Sequence, residues 1–469
     1  MKVHLTFHGA AGTVTGSKYE LAIDDRRLLV DCGLFQGPKR LRNLNWTPAA
    51  YNPRALEAVL LTHAHLDHAG ALPRLVKSGF RGPIHATPAT IALSDILLKD
   101  AGRLQEEDAR FANKKGYSKH QPALPLFTEE DAERTLRQLK RVQFEEWLSL
   151  GDGVRALWRD TGHILGSAMI EVVVPFEGRE LTIVFSGDVG RYGVPLHSDP
   201  EPRPDSDVLV IESTYGDREH PALDVEEQLG ATLRSTFEAG GVVLIPAFAV
   251  GRSQLVTWIL RRLMVQGRIP EVPIHIDSPM AIHATRIYSQ YMSGLDDRVS
   301  EDGRKELFPD NVHFCETVQE SKELNGLKGP RVIIAGSGMI TGGRILHHLS
   351  ARLDDPSTLL CLVGYQAEGT RGRDLFRGKP TLRFHGRDVP VRAKVAVMNG
   401  LSGHGDANEL MRWFQSSSKV PAATFVTHGE PKSAAAMAGA IAKETRAWVN
   451  TPGLGDRFEL TSMLKTPAS

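Results

Sequence analysis

Cysteine is scarce in this chain of 469 residues: Cys32, Cys315 and Cys361 are the only three, far apart and in no C-x-x-C pair. That excludes a disulfide-built scaffold and a cysteine zinc finger, and it suits a reducing cytoplasm. Long apolar runs are missing too. The longest, Val242 to Val250, is interrupted by Pro246, whereas a membrane span needs about 20 apolar residues. The first eight residues, Met1 to His8, alternate like a strand and lack the apolar core of a signal peptide. The expectation is a soluble, cytoplasmic protein with no membrane partner. An excess of one charge is also absent, Lys plus Arg and Asp plus Glu each totalling 56. This excludes a generally polycationic nucleic-acid coat, though not a local basic groove.

What is present is ordinary for a globular protein, with 41% apolar and 24% charged residues, and the length predicts two or three domains. Val3–His8, Lys18–Ile23 and Arg27–Asp31 read as short strands, with Asp24-Asp25 as a hairpin turn. Ala58 to Thr62 is a continuous apolar run, as for a strand buried on both faces. Asp100–Arg141 reads as an exposed, charge-mixed helical excursion, and Glu171–Pro175 and Leu181–Phe185 as strands. From Asp207 onward strand and helix alternate, the pattern of a parallel α/β sheet. The strands there are Val208–Ile211, Val242–Ile245, Ile274–Ile276, Val332–Ala335 and Leu359–Leu362. The helices between them are Val225–Glu238, Arg252–Val265, Met280–Tyr291 and Arg344–Arg352.

The chemistry concentrates where the strand ending at Thr62 gives way to His63-Ala64-His65-Leu66-Asp67-His68. Histidine accounts for only 18 residues of the chain, so three of them within six positions is a rare event. His63 and His65, two apart in extended backbone, point to one side. A turn then brings Asp67 and His68 to a neighbouring point. Imidazole nitrogens with a carboxylate suit zinc, with manganese or iron as alternatives. Four donors in six residues imply two adjacent metal ions. The bland alternative is a helix start capped by Asp67 with solvated histidines around it.

His63-x-His65-x-Asp67-His68 resembles the H-x-H-x-D-H signature of the metallo-β-lactamase superfamily, and the rest of that pattern follows in order. Asp31, in Leu28-Leu29-Val30-Asp31-Cys32-Gly33, matches the aspartate that supports the ligand loop from behind. His163, between Gly162 and Gly166-Ser167, matches the third-motif histidine, and Asp188, in Ser186-Gly187-Asp188, the bridging aspartate. The long α/β segment after Asp188 resembles the β-CASP insertion of nucleases such as the cleavage and polyadenylation endonuclease subunit and RNase J. Glu212, His404 in Ser402-Gly403-His404-Gly405-Asp406, and His428 in Thr427-His428-Gly429 match that family's three added motifs. Pro246 to Arg252 is a further match.

The resemblance implies an α/β fold: an αββα metallo-β-lactamase sandwich with an inserted α/β β-CASP domain. Residues 1–207 and 390–469 would form the first and residues 208–389 the second, with the active site in the cleft between them. It implies two Zn2+ per chain, Mn2+ being the alternative. His63, His65 and His163 would hold one ion, Asp67, His68 and His428 the other, and Asp188 would bridge them. His404 would protonate the leaving O3′, oriented by Glu212. The implied reaction is hydrolysis of single-stranded RNA to 5′-phosphate and 3′-hydroxyl ends. His428 favours RNA over DNA, because DNA-directed relatives typically carry an aliphatic residue there. The chain stops soon after His428, which favours an endonuclease over an RNase J-type 5′-exonuclease; a homodimer is compatible with the sequence. Glu212 as a turn cap and His404 as a solvated loop histidine are the plain alternatives. The rival functions are a DNA nuclease, a small-molecule hydrolase and a non-catalytic RNA-binding subunit.

Two further segments are candidate substrate contacts. Gly336-Ser337-Gly338-Met339-Ile340-Thr341-Gly342-Gly343-Arg344 joins a strand to a helix, where backbone N–H groups approach anions. Ser337, Gly338, Met339, Thr341 and Arg344 are its candidates for gripping the RNA backbone, a tight turn being the alternative. Arg371 to Lys394 carries eight cationic residues against Asp374 and Asp388. Arg371 and Arg373 are its candidate phosphate contacts, unless the segment is a solvated face. Tyr365 is a candidate base-stacking residue, with core filling as the alternative.

Overall fold

The chain is described by a computed structural model covering residues 1–116, 118–220, 225–291, 311–364, 366, 369–384, 386–398 and 400–464. It divides into two units, Met1–Glu219 with His404–Ser469, and His220–Gly403.

The first unit holds two seven-stranded sheets. Across one, the strands run Arg457–Glu459, Val3–Phe7, Tyr19–Ile23, Arg26–Val30, Ala58–Leu60, Ile84–Ala86 and Leu139–Arg141. Across the other they run Trp448–Asn450, Ala423–Val426, Val208–Ile211, Arg179–Phe185, Ala168–Phe176, Val154–Asp160 and Leu148–Gly151. The period of two along each strand assigns the faces. Leu28, Val30, Val208 and Val210 enter the core between the sheets, whereas Leu29, Leu209 and Ile211 point outward under helices. Aromatic rings fill the inner core, with Phe7 of one sheet 5.1 Å from Phe425 of the other. Outside, Leu72–Lys77 covers the first sheet through Leu72, Leu75 and Val76. Ala407–Phe414 and Pro431–Thr445 cover the second through Leu410, Trp413, Met437 and Ile441. The layers are therefore helix, sheet, sheet, helix, as the sequence leads one to expect.

The long helix Pro88–Lys115 bears on the site at its start. Thr87 caps it and Pro88 fits the first turn, where an N–H has no partner in any case. The Thr87 and Thr90 hydroxyls both donate to the Gly166 carbonyl, at 2.7 and 2.8 Å, which pins the loop carrying His163.

The second unit is built on a six-stranded sheet. Its order is Val312–Phe314, Ile274–Asp277, Arg331–Ala335, Val242–Pro246, Leu359–Leu362 and Lys394–Val397, every pairing parallel. Its central strands are buried on both faces and so read as unbroken apolar runs. The helices Val225–Glu238 and Arg252–Val265 lie where the alternation predicts them.

Two segments pair differently from the sequence reading. Val208–Ile211, grouped by texture with the insert, pairs in parallel with Arg179–Phe185 and Ala423–Val426 in the first unit. Lys394–Val397, placed after residue 390 with the closing part of the first domain, pairs instead with Leu359–Leu362 of the insert's sheet. No helix of the described residues is long and apolar enough to cross a membrane.

The two sheets are also stitched together just ahead of the histidine cluster. Trp158, fully buried in one sheet, donates its indole N–H at 3.0 Å to the Leu61 carbonyl at the end of a strand of the other. Trp158→Phe leaves that carbonyl unpaired and a gap beside it, and is expected to cost about 2 kcal/mol. A lower urea midpoint for unfolding of the first unit would register this; an unchanged midpoint would mean the bond contributes nothing.

Candidate metal centre

Five strands of the first unit end where the chemistry begins. Asp31 follows Arg26–Val30, His63 follows Ala58–Leu60, Asp188 follows Arg179–Phe185, Glu212 follows Val208–Ile211 and His428 follows Ala423–Val426. Reactive groups gather at the carboxyl ends of parallel strands because the chain must turn there and its side chains are released from the sheet. His163 comes from the loop between Val154–Asp160 and Ala168–Phe176. That loop turns through Gly162 at φ +62°, where a β-carbon would lie 2.1 Å from the Ser198 carbonyl oxygen. Asp31 and His428 themselves adopt left-handed backbone, φ +60° and +48°, a conformation that costs a non-glycine residue free energy and persists only where the surroundings fix it.

The short helix Leu66–Ala69 that bears Asp67 and His68 has His65 at its cap position, without a side-chain capping bond. Asp67 therefore lies in the first turn, and the capped-start alternative does not describe this segment. The donors form two sets. His63, His65, His163 and Asp188 bring one atom each within 4.8 Å of one another, as do Asp67, His68 and His428. His65 Nδ1 lies 3.1 Å from His63 Nε2 and 3.2 Å from His163 Nε2, and His68 Nε2 lies 3.0 Å from His428 Nε2.

Asp188 stands between the sets. Its Oδ2 is 3.4 Å from both His63 and His163, and its Oδ1 is 3.2 Å from His68 and 3.6 Å from His428. Burial pushes this carboxyl toward its neutral form, yet the imidazoles led by His68 and His428 outweigh it and hold Asp188 well below the usual carboxylate range. Burial, with His68 next, lowers His63. Burial, with His63 next, brings His65 down to about 3, and burial with His404 drives His163 well below its usual value. The neutral rings of His63, His65 and His163 present lone pairs, and lone pairs meeting at about 3 Å repel unless a proton or cation lies among them, whereas Asp188 and Asp31 outweigh burial and raise His68 well above its usual value. Asp188 Oδ1, fully buried, makes no hydrogen bond. A buried, ionised oxygen without a donor is costly, so the residues present fit a bound cation. The nitrogen-rich donor set suits zinc.

Around this core lie side chains that aim it. Asp31 accepts from the Thr62 N–H at 2.9 Å and sits 2.7 Å from His68 Nδ1, fixing that ring. Thr214 Oγ1 is 3.1 Å from His428 Nδ1, and Ser167 Oγ accepts the His163 N–H at 3.1 Å. Thr62, Ser167 and Thr214 were not singled out in the sequence. Thr62 and Ser167 adjoin or share motifs that were, and Thr214 lies two residues past Glu212, which is the only signal they carry.

A third group joins Asp188, Glu212 and His404. Glu212 Oε1 accepts the Val189 N–H at 2.7 Å and lies 3.2 Å from His404 Nδ1, while its Oε2 accepts the Thr214 N–H at 3.2 Å. It thus caps its turn and engages His404 at once. Burial opposes a charge on His404, but Glu212 and then Asp188 outweigh it and raise it to about 9. All of these residues belong to the first unit.

The candidate substrate residues fall in the second unit. Ser337 Oγ and Thr341 Oγ1 are 3.0 Å apart in a half-buried loop exposed at Thr341, where the Gly338 carbonyl accepts from Gln366 and the Met339 carbonyl from the Gly372 N–H. Arg371 and Arg373 begin the helix Arg371–Phe376, half-buried. Arg344 is otherwise engaged: its guanidinium bonds Asp277 at 2.7 Å and the Cys315 and Glu316 carbonyls at 2.8 and 2.7 Å. It ties the insert together instead of presenting a cation to solvent. Tyr365 lies outside the described residues.

Buried imidazoles and carboxylates at the strand ends of an αββα sandwich define a metal-dependent hydrolase. The metallo-beta-lactamase superfamily model matches residues 14–221, the Beta-Casp domain residues 253–375, and the Zn-dependent metallo-hydrolase RNA specificity domain residues 388–452. Ribonuclease TTHA0252 of Thermus thermophilus is 39% identical over 439 residues, covering 92% of this chain and 95% of that protein. Transcription termination factor FttA of Methanosarcina mazei is 32% identical over 96% of this chain and 71% of its own length. An RNase J-like protein of Methanocaldococcus jannaschii is 32% identical over 91% of this chain and 93% of its length. A crystal structure of a protein of unknown function from Enterococcus faecalis shares the fold, with a TM-score of 0.58 at 13% identity over 98% of this chain and all of that one. The chain belongs to the β-CASP ribonuclease family of the metallo-β-lactamase superfamily.

If cations offset the crowding of these donors, stripping them must destabilise the fold. Chelation is expected to lower the Tm, and zinc to restore it, a saturating ligand at roughly 1,000 times its Kd contributing about 4 kcal/mol. Differential scanning fluorimetry with and without chelator measures this, and an unchanged Tm would argue against a cation-holding cluster.

Proposed function

We propose that this protein is a zinc-dependent ribonuclease that hydrolyses single-stranded RNA in the cytoplasm, acting as an endonuclease and leaving 5′-phosphate and 3′-hydroxyl ends. The observation that carries the reading is the division of Asp188 between two imidazole sets, one oxygen to each. In this reading His63, His65 and His163 hold one ion, Asp67, His68 and His428 the other, and Asp188 both. Ions so held would supply a water acidified toward neutrality and positive charge at the scissile phosphate.

The remaining work falls to the chain's own side chains. The departing O3′ is a strongly basic leaving group and needs a proton. His404 is one-fifth exposed at the edge of the cluster, with Nδ1 toward Glu212. An imidazolium oriented in this way can deliver that proton as the P–O bond breaks. Glu212, held by two backbone N–H groups, orients the ring and stabilises its charge. Asp31 acts through His68, whose ring it fixes. Attack by water leaves the 2′-hydroxyl without a chemical role, so preference for RNA rests on binding. It is supported by His428, by the match to an RNA specificity domain, and by ribonucleases among the relatives. The Ser337–Thr341 loop, exposed at Thr341, with Gly338, Met339, Arg371 and Arg373, is the proposed grip on the RNA backbone.

RNA labelled at either end, with and without a 5′-phosphate, alongside the matched DNA strand, tests the whole reading. Internal cuts independent of the 5′ end and confined to RNA are expected; release of mononucleotides from a 5′-phosphorylated end would replace the endonuclease with an exonuclease. His404→Ala should lose about 10²- to 10⁴-fold in turnover with its zinc retained. Cleavage by that variant at the wild-type rate would remove His404 as the proton donor.

A further inference from the structure

A cavity of about 170 Å³ opens in the first unit, away from the donor cluster. Leu34, Phe35, Leu44 and Leu75 give it apolar walls, and Lys18 and Arg74 give it two cations; no Asp or Glu lines it. The Lys18 ammonium donates to the Gly16 carbonyl at 3.3 Å and to the Gly33 carbonyl, and lies 4.6 Å above the Phe35 ring. The Arg74 guanidinium donates to the Asn45 carbonyl and, at 2.6 Å, to the Thr47 carbonyl. Among the described residues neither cation pairs with a carboxylate. His8, also on the wall, is engaged by Glu20 at 2.9 Å. Two half-buried cations beside each other, with carbonyl dipoles and the Phe35 ring but no carboxylate for company, are an unbalanced arrangement. Burial alone brings the Lys18 ammonium down toward about 8, with Cys32 opposing and Arg74 reinforcing the shift.

We infer that this cavity is a binding site for a small amphipathic anion, a carboxylate or phosphate head on a single ring or short chain. The head would neutralise Lys18 and Arg74, and the body would take the apolar wall at about 25 cal/mol per Å² removed from water. The size agrees, since an apolar cavity of about 150 Å³ accepts benzene. The site also adjoins the metal ligands through backbone. The Gly33 N–H donates to the Ser17 carbonyl at 2.9 Å, the Ser17 N–H to the Asp67 carbonyl at 2.8 Å, and the Cys32 N–H to the His68 carbonyl at 2.7 Å. A β-carbon on Gly33 would lie 1.6 Å from the Asp67 carbonyl oxygen, so backbone packs directly on backbone. An occupant that draws on Lys18 and Gly33 therefore acts on the segment presenting Asp67 and His68, and the coupling is reciprocal.

Isothermal titration of the full chain with benzoate and with phenyl phosphate tests this, and the preferred ligand tells carboxylate from phosphate. Saturable one-to-one binding at about 1 mM or tighter is expected for one of them. Inorganic phosphate, a head without a body, and benzyl alcohol, a body without a charged head, should each bind at least about tenfold more weakly. Lys18→Met should weaken the preferred ligand by about tenfold or more. Ala50→Trp, at an exposed lining position where folding is not at stake, should block it. Phosphate binding as well as phenyl phosphate, no saturable binding of either aromatic anion, or binding unchanged in both variants would overturn the site; the last outcome would assign the anion to the metal centre. Chelator competition should then show zinc affinity altered by the occupant, and an unaltered affinity would overturn the coupling.

Discussion

The first unit depends on one electrostatic constraint: a single buried carboxylate, Asp188, is shared by two groups of imidazoles, one oxygen to each. Each ring is taken out of water, and burial penalises its charged form, so His63, His65 and His163 are driven toward neutral, while Asp188 and Asp31 outweigh burial at His68 and raise it. Neutral nitrogens about 3 Å apart around an oxygen without a donor are not a stable end point for folding by themselves. The fold tolerates them because the two sheets beneath are held by an apolar core that does not involve the site, from Phe7 and Tyr19 on one side to Phe185 and Phe425 on the other. The strain in backbone at Asp31 and His428 is carried in the same way. The scaffold supplies stability and the strand ends spend part of it on positioning.

The positioning comes in tiers. Threonine and serine hydroxyls at Thr62, Thr214 and Ser167 reach the second nitrogen or the backbone of donor histidines, and Asp31 does the same for His68. These groups set ring orientation and tautomer, which a bound ion cannot do for itself. The helix Pro88–Lys115 contributes from further away by clamping Gly166. Glu212 differs in kind. It holds His404, which lies beyond the two donor sets, and its carboxylate is itself fixed by two backbone N–H groups.

Much of this was legible in the sequence because the donors are chemically rare. Histidines clustered between a buried strand and a helix start stand out against an ordinary composition, and so do His404 and His428 in their glycine settings. The supporting hydroxyls were not legible, since serine and threonine are common and their partners are fixed by tertiary structure alone. Val208–Ile211 shows a related limit. A parallel strand buried on both faces has no alternation to reveal its neighbours, so texture grouped it with the strands that follow, while its pairing lies with strands on either side of the insert. Arg344 shows a third. Its charge and its place after a glycine loop are visible locally, but Asp277, which neutralises it, is distant in the chain.

Net neutrality constrains how such a protein can meet a polyanion. With 56 charges of each sign, no global field draws RNA toward it, and attraction must be local. The donor cluster works against that attraction by itself, because Asp31, Asp67, Asp188 and Glu212 gather four carboxyl groups around the position that a phosphodiester would have to approach. His68 and His404, both raised above the ordinary imidazole value, offset part of that charge, whereas His63, His65 and His163 are driven toward neutral and do not. The same carboxylates that make the site a cradle for cations thus disfavour an anion at that place. Cations held by the donors would reverse the sign of the field that a phosphodiester meets there.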